Sequence, residues 1–470
     1  MSCKSFVKRL FDPKCMVKPE LVEGELPDTK TAYSTFIKLA LPAVVELMLI
    51  SLISVIDTAM VSSLGEAAIT AVGLTTQPTF VLLALFIALN VGVTAVIARR
   101  KGEQRQEDAN TVLRMALLLA LVLGAVMSMV AIFFGRWFME LSGAKADTIE
   151  NSTIYFQIIN SVLMFRALTL AITSAQRGIG NTKISMRINL TANVVNVIFN
   201  FLLINGHLGF PALGVKGAAI ATSIGNMVGF VLAVISLLPK DGYLRLRWHQ
   251  SWRINKDALS AIGKVSGNAV LEQMVLRFGF FMFARVVAEL GTMVFATHQI
   301  GMQALNLSFT FADGLGVGAT TLVGQYLGAK RADIAAVYGR VAQRIAMAGS
   351  LLIMILFASL GKFWVMLFSQ DPEVIALGAI IMIIAGVSVP LQTSTVVSAG
   401  SLRGAGDTKY VAYVMLFSVG IIRPLLGYVF ALALGWGLIG AWMSLLIDLS
   451  IRLTLTYRRF SSGKWSTIKV

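Results

Sequence analysis

Histidine and cysteine are almost missing from this chain. Its 470 residues hold three histidines and two cysteines. Cys3 and Cys15 both sit in the N-terminal tail, so neither a disulfide framework nor a cysteine metal site follows. His207, His249 and His298 are scattered, and no HExxH or GxSxG pattern occurs. A membrane-embedded enzyme needs clustered ligands or a nucleophile with its base, so no catalytic residue is assigned. Charge is scarce too: 14% of residues are charged, 56% are hydrophobic and the mean hydropathy is +0.77. That excludes an ordinary soluble domain and fits a polytopic membrane protein. Acids are rarer than bases, 24 against 40, which leaves a net charge of +16. The excess does not point to nucleic acid. The Lys and Arg fall in short loops between apolar runs, with no aromatic-studded basic domain. They follow the positive-inside rule instead.

What is abundant is long apolar runs. Six spans are expected at about 35–62, 68–98, 110–135, 148–173, 186–206 and 215–238, and six more at about 258–288, 293–325, 339–368, 374–400, 410–434 and 437–458. Each must be a helix, because a span in lipid has to satisfy its own backbone. The first is too long for a cleaved signal sequence and has no small-residue cleavage pattern behind it. The expected organisation is a cytoplasmic tail (1–34), an N-terminal six-helix lobe (35–238), a basic cytoplasmic linker (239–257), a C-terminal six-helix lobe (258–458) and a second tail (459–470). Phe6, Leu10 and Phe11 suit a surface-associated first tail. Arg99, Arg100, Lys101 and Arg105, then Arg177, Lys183 and Arg187, then Lys330 and Arg331, then Arg403 and Lys409 alternate onto one side. Both termini join that side and are expected in the cytoplasm of a cell-membrane protein.

The chain is also a tandem duplication. At an offset of 226 residues, Ala43-Val44-x-Glu46-x-Met48 falls on Ala269-Val270-x-Glu272-x-Met274. Val91-Gly92-x-Thr94 falls on Val317-Gly318-x-Thr320. Arg177-Gly178-x-Gly180-x-Thr182-Lys183 falls on Arg403-Gly404-x-Gly406-x-Thr408-Lys409. Six spans per copy is even, so the copies insert the same way round. They are parallel repeats about a pseudo-two-fold axis along the membrane normal, with cargo expected in the cleft between them. The RGxGxTK loops are no phosphate cradle: no strand precedes them and the GxxxxGK[ST] spacing is absent. Their glycines suit tight turns, and Arg177 and Arg403 are expected at lipid headgroups or helix ends.

The first span carries two acids, Glu46 and Asp57. Eleven residues bring Asp57 back to within about 20° of Glu46, ~16 Å along the axis, so both share a face. An acid in a span is costly unless it meets a polar cavity or a partner. Asp57 stands alone, since its repeat mate is Phe283, whereas Glu46 and Glu272 are mates and suit a shared structural job. Arg277, Arg285 and Arg423 are candidate structural partners for these acids. Asp313 and Asp448 carry the same ambiguity, and Asp448 reads as structural.

Several of these features resemble the multidrug and toxic compound extrusion (MATE) family. They are the two six-span halves, a first helix ending VIDTAMVSSLG, the THQI of Thr297 to Ile300 and the SLRGAGDTK loop of Ser401 to Lys409. The resemblance covers nearly everything beyond the N-terminal tail. It implies antiport, in which an organic compound leaves the cell as H⁺ or Na⁺ enters. It makes Asp57 the ion-coupling acid of the N-terminal lobe, with a Na⁺ site there as an option. It adds Asn196 and Asn200, one turn apart in the fifth span, where some members carry Asn and Asp; here the Asp is replaced. Thr222 matches a sixth-span hydroxyl, and Glu272 matches a seventh-span acid. Gln392 stands where the NorM-type branch has an Asp, which puts a NorM-style sodium site in doubt. Arg423-Pro424 resembles the DNA-damage-inducible (DinF-like) branch. Gln77, Asn90, Glu46, His298, Gln299, Asp313, Gln392, Arg285 and Arg423 are the expected substrate-cavity residues, His298 with a helix-packing hydrogen bond as its first role and a proton relay as its second.

A carboxylate taken out of water holds a proton more readily, and a proton on it cancels the charge that would hold a cation. Competition for one acid therefore couples two fluxes. The expected cargo is a small amphipathic organic molecule, cationic because acids and apolar side chains together suit one. The expected partners are that cargo and membrane lipid, with no nucleic acid and no obligate protein partner. The coupling ion, H⁺ or Na⁺ with H⁺ favoured, is the only cofactor. The alternative on this fold is a flippase for a lipid-linked or amphipathic metabolite, which would favour a more basic cavity and extra helices.

Overall fold

The computed structural model describes residues 11–17, 22–146, 148–239, 241–246 and 252–468. Cys3, Phe6, Leu10 and His249 lie outside these. The described chain is all-helical. The first half runs α1 (Thr29–Ser62), α2 (Glu66–Gly102), α3 (Gln106–Leu141), α4 (Ile149–Ser161), α5 (Leu163–Gly178), α6 (Thr182–Ile204) and α7 (Gly214–Ile235). The second runs α8 (Lys256–Ala288), α9 (Thr292–Gly328), α10 (Ala332–Met366), α11 (Pro372–Gly404), α12 (Thr408–Phe417), α13 (Arg423–Tyr428) and α14 (Gly437–Ser461). Helices α4 and α5 meet at a 46° bend and together make one span. Helices α12 and α13 continue one another through a π turn at Ser418–Ile422, and a second π turn follows at Val429–Ala433. Among the described residues nine helices, or ten with the bent pair, are long and apolar enough to cross a membrane. Helices α8 and α9 have the length, 33 and 37 residues, but carry more polar groups. With them the count is twelve spans, six per half, as expected.

The fold divides into two compact units: Val45–Ser266, and Met1–Val44 with Gly267–Val470. The division cuts α1 and α8 rather than the linker. In the second unit, Ala32, Phe36, Ala40 and Val44, spaced by four along α1, form one stripe. It packs on Ala319, Leu322, Val337, Tyr338 and Val341. Residues four apart share a helix face, so this spacing alone builds a seam. Met16 and Val17 of the tail are buried in the same core. The tail is tied further by Glu23 N donating to Asp333 Oδ2 at 3.1 Å and by Arg331 Nη2 donating to the Glu25 carbonyl at 2.8 Å. In the first unit, Ser266 at the start of α8 donates to the Leu89 carbonyl at 3.5 Å. The linker is held by Asn110, which donates to the Tyr243 carbonyl at 3.1 Å and accepts from Arg245 N at 2.8 Å.

The RGxGxTK loops are the same turn made twice. Gly180 N bonds back to Arg177 O and Asn181 N to Gln176 O, at 2.9 and 2.8 Å. Gly406 N bonds to Arg403 O and Asp407 N to Leu402 O, at 3.0 and 2.8 Å. This is the Schellman helix end, which needs a left-handed residue. Gly180 and Gly406 supply it, at φ +91° and +88°. The other motif glycine serves close approach. A Cβ on Gly178 would lie 2.9 Å from the Thr94 carbonyl, and one on Gly404 would strike the carbonyl of Thr320, its repeat mate. The same two threonines donate to the carbonyls of Ser174 and Gly400.

Candidate functional site

The first unit gathers a polar group around Asp57. Helix α1 supplies Asp57, α6 supplies Asn196 and Asn200, and α7 supplies Thr222. Asn200 Nδ2 donates to Asp57 Oδ1 at 2.8 Å. With the Asn196 amide turned to satisfy both its ends, its nitrogen donates to Asp57 Oδ1 and Oδ2 at 3.0 and 3.1 Å. Its oxygen then accepts from Thr222 N and Oγ1 at 3.1 and 3.2 Å. Asn196 and Asn200 are buried and Asp57 is half-buried. No ion pair among the described residues involves Asp57. Nor does any group of three His, Cys, Asp or Glu able to hold a metal form among them. The site therefore holds one carboxylate, two amides and a hydroxyl.

Two neighbours were not read from the sequence. Tyr155 of α4 reaches Thr222 with its hydroxyl and lies within electrostatic range of Asp57; Arg166 of α5 lies beside Tyr155. Nothing in the spacing of the fourth span marks them, because the α4–α5 bend sets which face turns inward.

Glu46 and Glu272 have a different setting. Arg177 Nη2 donates to Glu46 Oε1 at 2.5 Å, and Asn189 Nδ2 donates to the same oxygen at 2.6 Å. In the second half Arg403 pairs with Glu272. The motif arginines were expected at headgroups or helix ends. Each instead turns inward to the intramembrane acid of its own repeat, where the low dielectric makes a partner worth most. Arg285, one of the partners expected, is exposed instead.

Asp448 is held harder still. It is fully buried, with Arg423 at 2.5 and 2.9 Å, Arg452 at 2.8 Å, and a hydrogen bond from Ser418. Arg423 also lies 5.0 Å over the Phe280 ring. Arg423 was expected in the substrate cavity; it is 2% exposed and committed to this cluster. Asp313 lies within electrostatic range of Arg403.

His298 is buried among rings rather than in the packing hydrogen bond expected of it. Phe283, Trp442 and Phe295 lie 5.6, 5.9 and 6.1 Å from it, centroid to centroid, and its Nδ1 has no hydrogen-bond partner among the described residues. Phe283 is the repeat mate of Asp57, and its ring lies against Gly427. An aromatic plug thus stands in the second half where the first has its lone acid. Gln77 and Gln299 are exposed, Asn90 is half-buried, and Gln392 accepts from Ser308 at 3.4 Å.

The MatE family model matches residues 42–202 and 269–429, once in each repeat. The Bacillus subtilis "Uncharacterized transporter YisQ" is 26% identical over 441 residues, covering 93% of this chain and 96% of that protein. The Thermotoga maritima "Probable multidrug resistance protein NorM" is 26% identical over 453 residues, covering 96% of each. A solved outward-facing conformation of a multidrug resistance MATE family transporter of the MOP superfamily superimposes with a TM-score of 0.85. It is 20% identical and covers 95% of this chain and 98% of that one.

Proposed function

The chain belongs to the MATE family of multidrug efflux transporters, and from that premise we propose that it is an antiporter exporting amphipathic organic cations as H⁺ enters. One observation carries the proposal: Asp57 meets two amides, and among the described residues no guanidinium or ammonium group pairs with it. Such an acid is free to change partners. Charged, it draws a cation; protonated, it releases one. An amide offers both a donor and an acceptor, so Asn196 and Asn200 can hold either form in place. The acids locked to Arg177, Arg403, Arg423 and Arg452 cannot exchange partners as readily and serve here as fixed struts.

Sodium at Asp57 is the second reading. Asn200 Oδ1 is a buried oxygen with no donor among the described residues, the kind of atom a hard cation takes as a ligand. The basic loops support a cell-membrane protein with both termini in the cytoplasm. Arg423-Pro424 and Gln392 support a place nearer the DinF-like branch.

The test is Asp57→Asn, which keeps the shape and removes the charge. It is expected to be made in normal amounts and to lose ion-driven efflux of a cationic dye. Undiminished gradient-driven efflux by that variant would take Asp57 out of the mechanism.

A further inference from the structure

Among the described residues, four ion-pair clusters account for the five arginines of the second unit that meet carboxylates: Arg403 with Glu272, Arg423 and Arg452 with Asp448, Arg331 with Asp333, and Arg459 with Asp407. Arg340, Arg344 and Arg458 are different. No carboxylate lies within 4 Å of them among the described residues. Arg340 and Arg344 sit one turn apart on α10 and repel each other. Arg344 Nη1 is buried and has no hydrogen-bond partner among the described residues. Arg344 and Arg458 line a cavity of about 430 Å³ with Gln343, Met347, Leu453, Thr454 and Tyr457. Helices α10 and α14 both pack on α11, and the cavity is the groove left between them.

The groove has two ends of different chemistry. At the basic end it offers donors: two guanidiniums, the Tyr457 hydroxyl, and the Gln343 amide nitrogen, whose own oxygen is already engaged by Ser398. At the other end Met347 and Leu453 are apolar, and exposed Leu351, Leu352 and Ile355 continue the track along α10. Its depth also fits a headgroup. Helix α10 has 35 residues, about 52 Å, against a hydrocarbon thickness of about 30 Å, so its ends stand outside the core. Arg344 lies three turns in from the basic end, and Arg458 lies three residues from the end of α14. A long arginine at that level carries its charge to the phosphate plane.

Repeat symmetry supplies the independent observation. Helix for helix, α3 maps onto α10 at 226 residues and α7 onto α14 at 223. At those offsets Gln343, Arg344, Thr454, Tyr457 and Arg458 fall on Leu117, Leu118, Val231, Val234 and Ile235. The scaffold is complete without a polar group at any of these places. The second half alone has been given cations there.

We propose that this groove binds an acidic phospholipid of the leaflet on the basic side, with Arg344 and Arg458 on the phosphate and one acyl chain along Met347 and Leu453. Cations with no carboxylate partner among the described residues (Arg344 has only the Phe11 ring, 6.0 Å away) stand above an apolar track with no acid in the lining, and so match that ligand at both ends.

The experiment uses the full chain, purified in detergent and titrated with phosphatidylglycerol or phosphatidylcholine, with bound lipid counted by native mass spectrometry. Phosphatidylglycerol is expected to bind in preference, and each arginine removed is expected to weaken it about fivefold. Arg458 is exposed near a helix end, so Arg458→Gln tests the site without disturbing the fold; Arg344→Gln adds the second step, and Arg344→Lys should restore most of it. Equal binding of the two lipids would overturn the proposal. So would unchanged phosphatidylglycerol binding in Arg458→Gln with Arg344→Gln, or full displacement of the lipid by millimolar glycerol phosphate, which would make the site one for a soluble anion.

Discussion

Glu46 and Glu272 each meet an arginine the same distance along the chain, 131 residues on. Glu46 is 1% exposed in its side chain and Arg177 17%. Removing one partner of a buried pair strands the other, at a cost of about 3 kcal/mol. Glu46→Gln and Glu272→Gln are therefore expected to lower the unfolding midpoint in detergent, and the Glu46→Gln, Arg177→Gln double variant to recover part of the loss. Wild-type melting with no ion-driven transport would instead make these acids coupling groups. The grouping of Asp57, Asn196, Asn200 and Thr222 was legible because helical spacing and family resemblance both act within short stretches. The two Glu–Arg pairs were not read, since each joins distant helices. Their signal was present all the same: both members of each pair recur at the repeat offset. Tyr155 left no such trace.

Among the elements, the RGxGxTK turn separates two uses of glycine that the sequence cannot tell apart. Gly180 and Gly406 supply a left-handed backbone, for which another residue costs about 1–2 kcal/mol. Gly178 and Gly404 face main-chain carbonyls that cannot swing aside. Gly178→Ala and Gly404→Ala are thus expected to lower the thermal midpoint more than Gly180→Ala and Gly406→Ala do. The reverse order in a melting experiment would refute the close-packing account. The constant offset of the duplication also has a limit that only the structure gives. The Leu203 carbonyl meets Gly217 in the first half, and the Phe430 carbonyl meets Gly440 in the second. One side of that contact has moved by 227 residues and the other by 223. The extra residue on the first side is what a π turn inserts, and one lies at Ser418–Ile422 between the matched stretches. Periodicity reads helices but not a bulge within one, so the second half's Arg423 and Asp448 could not be placed from their numbers.

For the molecule as a whole, the duplicated framework is close to symmetric and the charges are not. Both halves repeat the Schellman turn, the threonine–carbonyl contact and the Glu–Arg strut, while Asp57, in the first span, has no ion pair among the described residues and has Phe283 as its repeat mate. One such acid limits the choice of ion. A hard cation is held by many oxygens at once, and its site usually carries more than one carboxylate. Here the group is one carboxylate, two amides and a hydroxyl. A proton asks for a single basic oxygen, so the arrangement suits H⁺ better. In everted vesicles with an acid lumen and no sodium, a cationic dye is expected to accumulate inside as protons leave. Ammonium, which dissipates the gradient, should release it. A sodium gradient imposed at equal pH should move nothing. If sodium alone drives accumulation, the undonated oxygen of Asn200 is a ligand, and Asp57 carries a metal ion through the cycle rather than a proton.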